Sequence, residues 1–153
     1  MEHTFHRAER LKSEKTINNL FKGGRSFSCY PLRLVWSESI IEPPFDENPL
    51  THLEPFFPVQ FSLSVPKRAF KRAHDRNLLR RRVRESYRLQ KHNLYDLLKK
   101  PAFEAHENKQ FAFMVLYTAK EILPYSEIER GVKKMIFKFG KELELITEVR
   151  TTT

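Results

Sequence analysis

The chain has 153 residues, 40% of them apolar and thirteen of them Phe, with a formal net charge of +9. That length suits one domain with a real core and is short for two, and the aromatic content argues against a disordered basic chain. The excess charge points to an anionic partner, with nucleic acid favoured over an anionic membrane surface.

No uninterrupted apolar run is long enough to span a bilayer, and the first residues lack the apolar core of a signal peptide. A single cysteine, Cys29, excludes an internal disulfide and fits a reducing compartment, so a cytoplasmic protein without a membrane partner is expected. Ser13 to Phe21 reads as a short helix with Ser13 as N-cap, Ile17, Leu20 and Phe21 on one face, and Gly23-Gly24 as the stop. Leu32 to Trp36 is a short strand candidate. Residues 37–57 read as an acidic, Pro-containing connector, with room for an extra strand near Phe56. Val59, Phe61, Leu63 and Val65 alternate with polar residues, the pattern of a half-buried strand.

A long helix then opens at Lys71 or Asp75 and is closed by Pro101. Phe111 to Thr118 is apolar on both parities, as a central strand would be. Ser126 and Glu129 have capping-box spacing ahead of an amphipathic helix carrying Ile128, Val132, Met135, Ile136, Phe139 and Leu143. The order αββ(β)αβα with a helix between two strands predicts a βαβ crossover. The expected fold is therefore a single-domain α/β (α+β) sandwich over residues 1–153, with its helices on one face of a small sheet.

Charge is zoned along this frame. Residues 1–33 carry +4, residues 34–65 carry −5 without any Lys or Arg, residues 66–91 carry +9, and the remainder carries +1. The segment 66–91 thus holds the whole net charge, with eleven basic residues against Asp75 and Glu85. On a helical period Leu79, Val83, Tyr87, Gln90, Leu94 and Leu97 fall on one side and must face the sheet. Arg80, Arg84, Arg88 and Lys91 form a neighbouring stripe, with Asn77 and Arg81 beside it. Like charges at i,i+4 cost roughly 0.2–0.5 kcal/mol per pair in an isolated helix, and only Glu85 is at hand to relieve them. A partner's phosphates are the natural compensation, and arginine's planar fork suits them better than lysine.

These residues carry a resemblance. The run Lys67 to Leu89 resembles the signature helix of the protein subunit of bacterial ribonuclease P, in which an Arg-Asn-Arg run and further basic residues follow a Ser-Val-x-Lys-Lys turn. Ser64-Val65-Pro66-Lys67-Arg68 matches the turn, and Arg76-Asn77 with Arg80-Arg81 matches the core of the motif. Arg10-Leu11-Lys12 and Phe21-Lys22-Gly23-Gly24-Arg25-Ser26 resemble the family's first helix and its exit, and the Phe111 strand with the last helix resembles its C-terminal part. Two departures stand out: Leu78 occupies the place of the family's third motif residue, Arg, and the connector 37–57 is long.

The resemblance implies an RNA-binding cofactor of a ribonucleoprotein that removes the 5′ leader of precursor tRNA. It also implies Mg²⁺ held mainly by the catalytic RNA, no catalytic residue in the protein, and no obligate protein partner. It further implies that Lys67, Arg68, Arg72, Arg76, Asn77, Arg80, Arg81, Arg84 and Arg88 bind the catalytic RNA, with the contact at Leu78 either missing or passing to Arg81 or Arg82. A cleft for the single-stranded leader would involve Ile17, Phe21, Val35 and Ser64, where stacking tolerates any base. The rivals are a non-catalytic ribosome-associated or other structured-RNA-binding protein and a DNA-binding domain with the basic helix in the major groove. A helix bracketed by strands argues against a compact helix-turn-helix. The residues themselves offer no catalytic constellation: the six histidines lack metal-ligand spacing with Cys29, His74 beside Asp75 suits a cap or a phosphate contact, and no Gly-rich phosphate loop is present.

Overall fold

The structure is a computed structural model that describes residues 5–40, 57–100, 103 and 109–152. After a 3₁₀ turn at Arg7–Glu9, the elements are α1 (Glu14–Gly23), β1 (Arg25–Cys29), β2 (Leu32–Ile40), β3 (Val59–Ser64), α2 (Ala73–Leu98), β4 (Lys109–Tyr117) and α3 (Tyr125–Thr152). The sheet order is β1-β2-β4-β3. Strands β1, β2 and β4 pair antiparallel, while β3 and β4 are parallel and joined by α2, which is the expected crossover. None of the described helices is long and apolar enough to cross a membrane.

Both parities of β4 are buried because the sheet is covered on both sides. Leu34, Trp36, Phe61, Phe111, Phe113 and Val115 belong to the main core, together with Leu79, Val83, Tyr87 and Leu94 of α2 and Ile128, Met135 and Phe139 of α3. Aromatic contacts dominate it. Tyr87 stacks on Phe61 with centroids 4.0 Å apart and planes 8° apart, and Phe139 meets Phe113 edge-on at 4.8 Å. On the other face, Leu20 of α1 packs with Leu11, Val35, Ala112 and Met114 in a separate small cluster. The expectation that the helices share one face is corrected here: α1 takes the second face, because Val35, Ala112 and Met114 present apolar side chains there that need cover.

Ser13 caps α1 as expected, its Oγ accepting from the Thr16 N–H at 3.3 Å. The strand expected over Leu32–Trp36 runs on to Ile40, so residues 37–40 extend β2 rather than begin a connector, and Glu38 pairs with Lys109 of β4 at 2.6 Å. The possible strand near Phe56 lies outside the described residues. The strand β1 was not anticipated, although Ser26, Phe27, Ser28 and Cys29 alternate polar and apolar and Phe27 and Cys29 turn toward the main core. Helix α2 starts between the two expected positions, with Arg72 as N-cap and without a side-chain cap, which leaves Asp75 in the first turn facing the positive helix end. Helix α3 begins at Tyr125, so Ser126 lies inside its first turn and not at the N-cap.

The glycine pair that ends α1 is asymmetric. A Cβ at Gly24 would sit 2.5 Å from the Leu20 carbonyl oxygen and 3.2 Å from that of Trp36, whereas one at Gly23 meets nothing within 4 Å. Gly24→Ala should therefore destabilise by about 1–3 kcal/mol, while Gly23→Ala should gain about 0.4–1 kcal/mol through helix propensity and a stiffer unfolded chain. Thermal or urea unfolding of the two variants, read side by side, checks the opposite signs.

Candidate nucleic-acid interface

Helix α2 has an inner side and an outer side, and its basic residues divide between them. Leu79, Val83, Tyr87, Gln90 and Leu94 are buried and Leu97 is half-buried, as the period predicts. Residues at the border of that stripe are used by the fold. The Arg76 guanidinium donates to the Phe70 and Lys71 carbonyls at 2.7 and 2.9 Å, tying down the turn that leads into the helix. Arg82 donates to the Leu123 carbonyl at 2.6 Å and so anchors the approach to α3. Arg88 forms a two-pronged pair with Glu85, Nε to Oε2 at 3.0 Å and Nη2 to Oε1 at 2.6 Å. That hydrogen bond, with the adjacent positive charge, holds the Glu85 carboxyl below the usual carboxylate range.

Lys91 leaves the open stripe altogether. It is 6% exposed, and its Nζ lies 2.6 Å from Oε1 of Glu9, which is 1% exposed. The same carboxylate accepts from the His6 N–H at 3.0 Å and from the Tyr95 hydroxyl at 2.6 Å. Burial, with the neighbouring phenol and the Glu9 carboxylate, pushes the Tyr95 hydroxyl far above its ordinary range, so it stays a donor. The spacing that put Lys91 in line with Arg80 and Arg84 was right; what covers it is the N-terminal turn, a long-range contact the helical period does not contain.

The remaining basic residues are mostly exposed. Lys67, Arg68 and Arg72 are exposed in the turn and at the N-cap, and Asn77, Arg81 and Arg84 are exposed on the outer arc. Arg80 is half-buried, with Nη1 a long 3.4 Å from Asn77 Oδ1. Leu78 is half-buried. Of the two residues expected to replace an arginine there, Arg82 is committed to Leu123, whereas Arg81 is exposed and makes no hydrogen bond or ion pair among the described residues.

The four leader-cleft residues fall on the α1 side of the sheet but not all together. Val35, 7% exposed, is the floor beneath α1, and Ile17 packs half-buried against the same cluster. Phe21, one turn beyond Ile17, is 57% exposed and so is no core residue. Ser64 is exposed at the end of β3, two strands away from β2, in a row that runs Ser64, Leu116, Arg33 across the sheet. The exposed Arg33 and the half-buried Leu116 therefore share this face with the cleft candidates and were missed by sequence reasoning. The alternation of Leu32, Arg33 and Leu34 was the available signal for Arg33.

Among the described residues no group of three or more His, Cys, Asp or Glu side chains could hold a metal ion. Cys29 is buried and donates to the Gly131 carbonyl at 3.3 Å; burial raises its thiol above the ordinary range, the reverse of an activated nucleophile.

The family model for ribonuclease P matches residues 5–140. The ribonuclease P protein component of Porphyromonas gingivalis, in strains W83 and ATCC 33277, is 33% identical over 134 residues, spanning 88% of this chain and 85% of the relative. In three dimensions the chain resembles the ribonuclease P protein of Staphylococcus aureus, with a TM-score of 0.54 at 17% identity over 88% of this chain and 97% of that one, a likeness of fold. With a match that runs from the N-terminal turn through the basic helix into α3, the chain belongs to the ribonuclease P protein family, the RNA-binding accessory subunits that serve in tRNA processing.

Proposed function

We propose that this chain grips the catalytic RNA of ribonuclease P through the outer arc of α2 and holds the single-stranded leader of precursor tRNA against the α1 face of the sheet. The observation that carries the reading is a division of labour in α2 and the turn before it: Arg76, Arg82 and Lys91 are tied to the fold and Arg88 to Glu85, while Lys67, Arg68, Arg72, Arg81 and Arg84 stay exposed without an acidic partner among the described residues. Guanidinium forks on a rigid helix fit the phosphates of a structured RNA, and they relieve the repulsion between the two RNAs they bring together. The exposed ring of Phe21 beside an apolar floor offers a stacking platform without base preference.

In this reading the chain supplies binding and orientation, and the phosphodiester is cleaved by water activated at Mg²⁺ held by the RNA. The working partners are then the catalytic RNA and precursor tRNA, with no obligate protein partner, in the cytoplasm.

The first test is activity. Rigorously RNA-free protein should leave precursor tRNA intact, and cleavage should appear when the catalytic RNA and Mg²⁺ are added; cleavage by protein alone sinks the reading.

The second test separates the two classes of arginine. The triple variant R80A/R81A/R84A should keep its melting temperature and lose affinity for the catalytic RNA. Its log–log salt slope should fall by about 0.7–0.9 for each phosphate contact removed. Arg76→Ala should also lose stability, by about 1.5–3 kcal/mol, because two carbonyls lose a charged donor.

The third test concerns the leader. Phe21→Ala should leave the fold intact and weaken precursor tRNA relative to mature tRNA by about 1–3 kcal/mol per stacked base. Equal weakening of both tRNAs in a stable variant would remove Phe21 from the leader site.

A further inference from the structure

A second basic feature lies off the signature helix. The chain before α1 runs as a strap along the exposed edge of β3: Arg10 bridges to Phe61, and the Leu11 N–H donates to the Phe61 carbonyl at 3.0 Å. Between this strap, the β3 edge and α2 opens a groove of about 170 Å³. Its basic lining comes from three separate places, Arg10 and Lys12 on the strap and its exit, and Arg84 on α2; Phe5, Ser62 and Leu63 supply much of the rest, and among the described residues no acidic side chain lines it. All three basic residues are exposed.

The strap is fixed, so this convergence is built in. Glu9, next to Arg10, is the buried carboxylate that receives Lys91, Tyr95 and the His6 N–H. Phe5 packs edge-on against both Phe61 and Tyr87, and the Arg10 guanidinium lies 5.7 Å from the centre of the Phe5 ring. A buried ion pair is weak as a source of stability and strong as a device for holding one arrangement. Here the arrangement it holds gathers three like charges around one opening, which is unfavourable until an anion enters.

We infer that the groove between the strap and α2 is a binding site for one phosphodiester of an RNA strand, with Arg10, Lys12 and Arg84 on the phosphate, and Phe5 and Leu63 against the adjoining sugar. The inference rests on the reading that RNA lies along the outer arc of α2, and it extends that contact across the β3 edge to the N-terminal strap. The groove sits where the α2 surface meets the sheet edge leading to Ser64. The phosphate belongs either to the catalytic RNA or to the precursor's leader.

The experiment uses the full chain with the alanine pair R10A/K12A, both positions being exposed and away from the Glu9 carboxylate's partners. Two affinities are measured across a salt series: that of the protein for the catalytic RNA, and that of the reconstituted holoenzyme for precursor against mature tRNA. The log–log slope should fall by about 0.7–0.9 for each cation that touches the phosphate. The charge-keeping pair R10K/K12R should retain most of the slope. Combining R10A with R84A should cost less than the two single losses together, because both groups hold one phosphate. A loss in the first arm assigns the phosphate to the catalytic RNA, and a loss confined to precursor tRNA assigns it to the leader. An unchanged slope in both arms overturns the inference. In that case the pair R80A/R81A, which leaves Arg84 in place, still reports on the outer arc of α2 independently, so the failure of one reading is distinguishable from the failure of the other.

Discussion

The ring of Tyr87 lies flat on that of Phe61, 4.0 Å between centroids, and this contact sets the rotation of α2 about its own axis. With Leu79, Val83 and Leu94 buried on the same side, no other face of the helix can turn toward the sheet without exposing that stripe. The rotation in turn decides the fate of every arginine. Arg76 and Arg82, at the borders of the stripe, find backbone carbonyls within reach, while Arg81 and Arg84, further round, stay exposed. The open basic surface is in this sense the complement of the core-facing one.

The buried pair of Glu9 and Lys91 depends on the same rotation. A lysine at that height on the helix would ordinarily reach water, yet Lys91 is roofed by the N-terminal turn and by the rings of Phe5 and Phe57, each 5.9 Å from its Nζ. Three donors on one carboxylate, with the aromatic faces over the ammonium, offset the cost of removing both charges from water. The result is a polar rivet beside the apolar stripe of α2. It joins the first described residues to the middle of the longest internal helix and closes the ring of contacts around β3.

Much of this could be read from the sequence because the signals were local. The alternation at Val59–Val65, the apolar period of α2, the Ser13 cap and the two-sided apolarity of β4 are each decided within a few residues, and all appear in the fold. The misses share a different cause. The pairing of β1 rests on a partner strand and not on its own composition. The side of the sheet that α1 covers depends on which parity of β2 and β4 is left apolar, a three-strand property. The withdrawal of Lys91 from the basic stripe needs Glu9, far away in sequence. For the interface, periodicity could say which arginines point outward, but only the coordinates show that Arg76 and Arg82 are already occupied by carbonyls of neighbouring turns.

The sheet separates two apolar clusters of unequal size, and among the described residues α1 packs with the smaller one. Opening α1 exposes Leu20, Val35 and Met114 but leaves the stacked aromatics on the other face undisturbed. The two sides of the molecule can therefore fluctuate with different free energies, the α1 layer opening locally while α2 and α3 exchange only with the whole fold. Amide hydrogens of α1 should accordingly be the less protected set. The surface on which a leader would lie is then an adjustable one, able to accept strands of differing sequence and length, while the arginines across the sheet keep their spacing throughout.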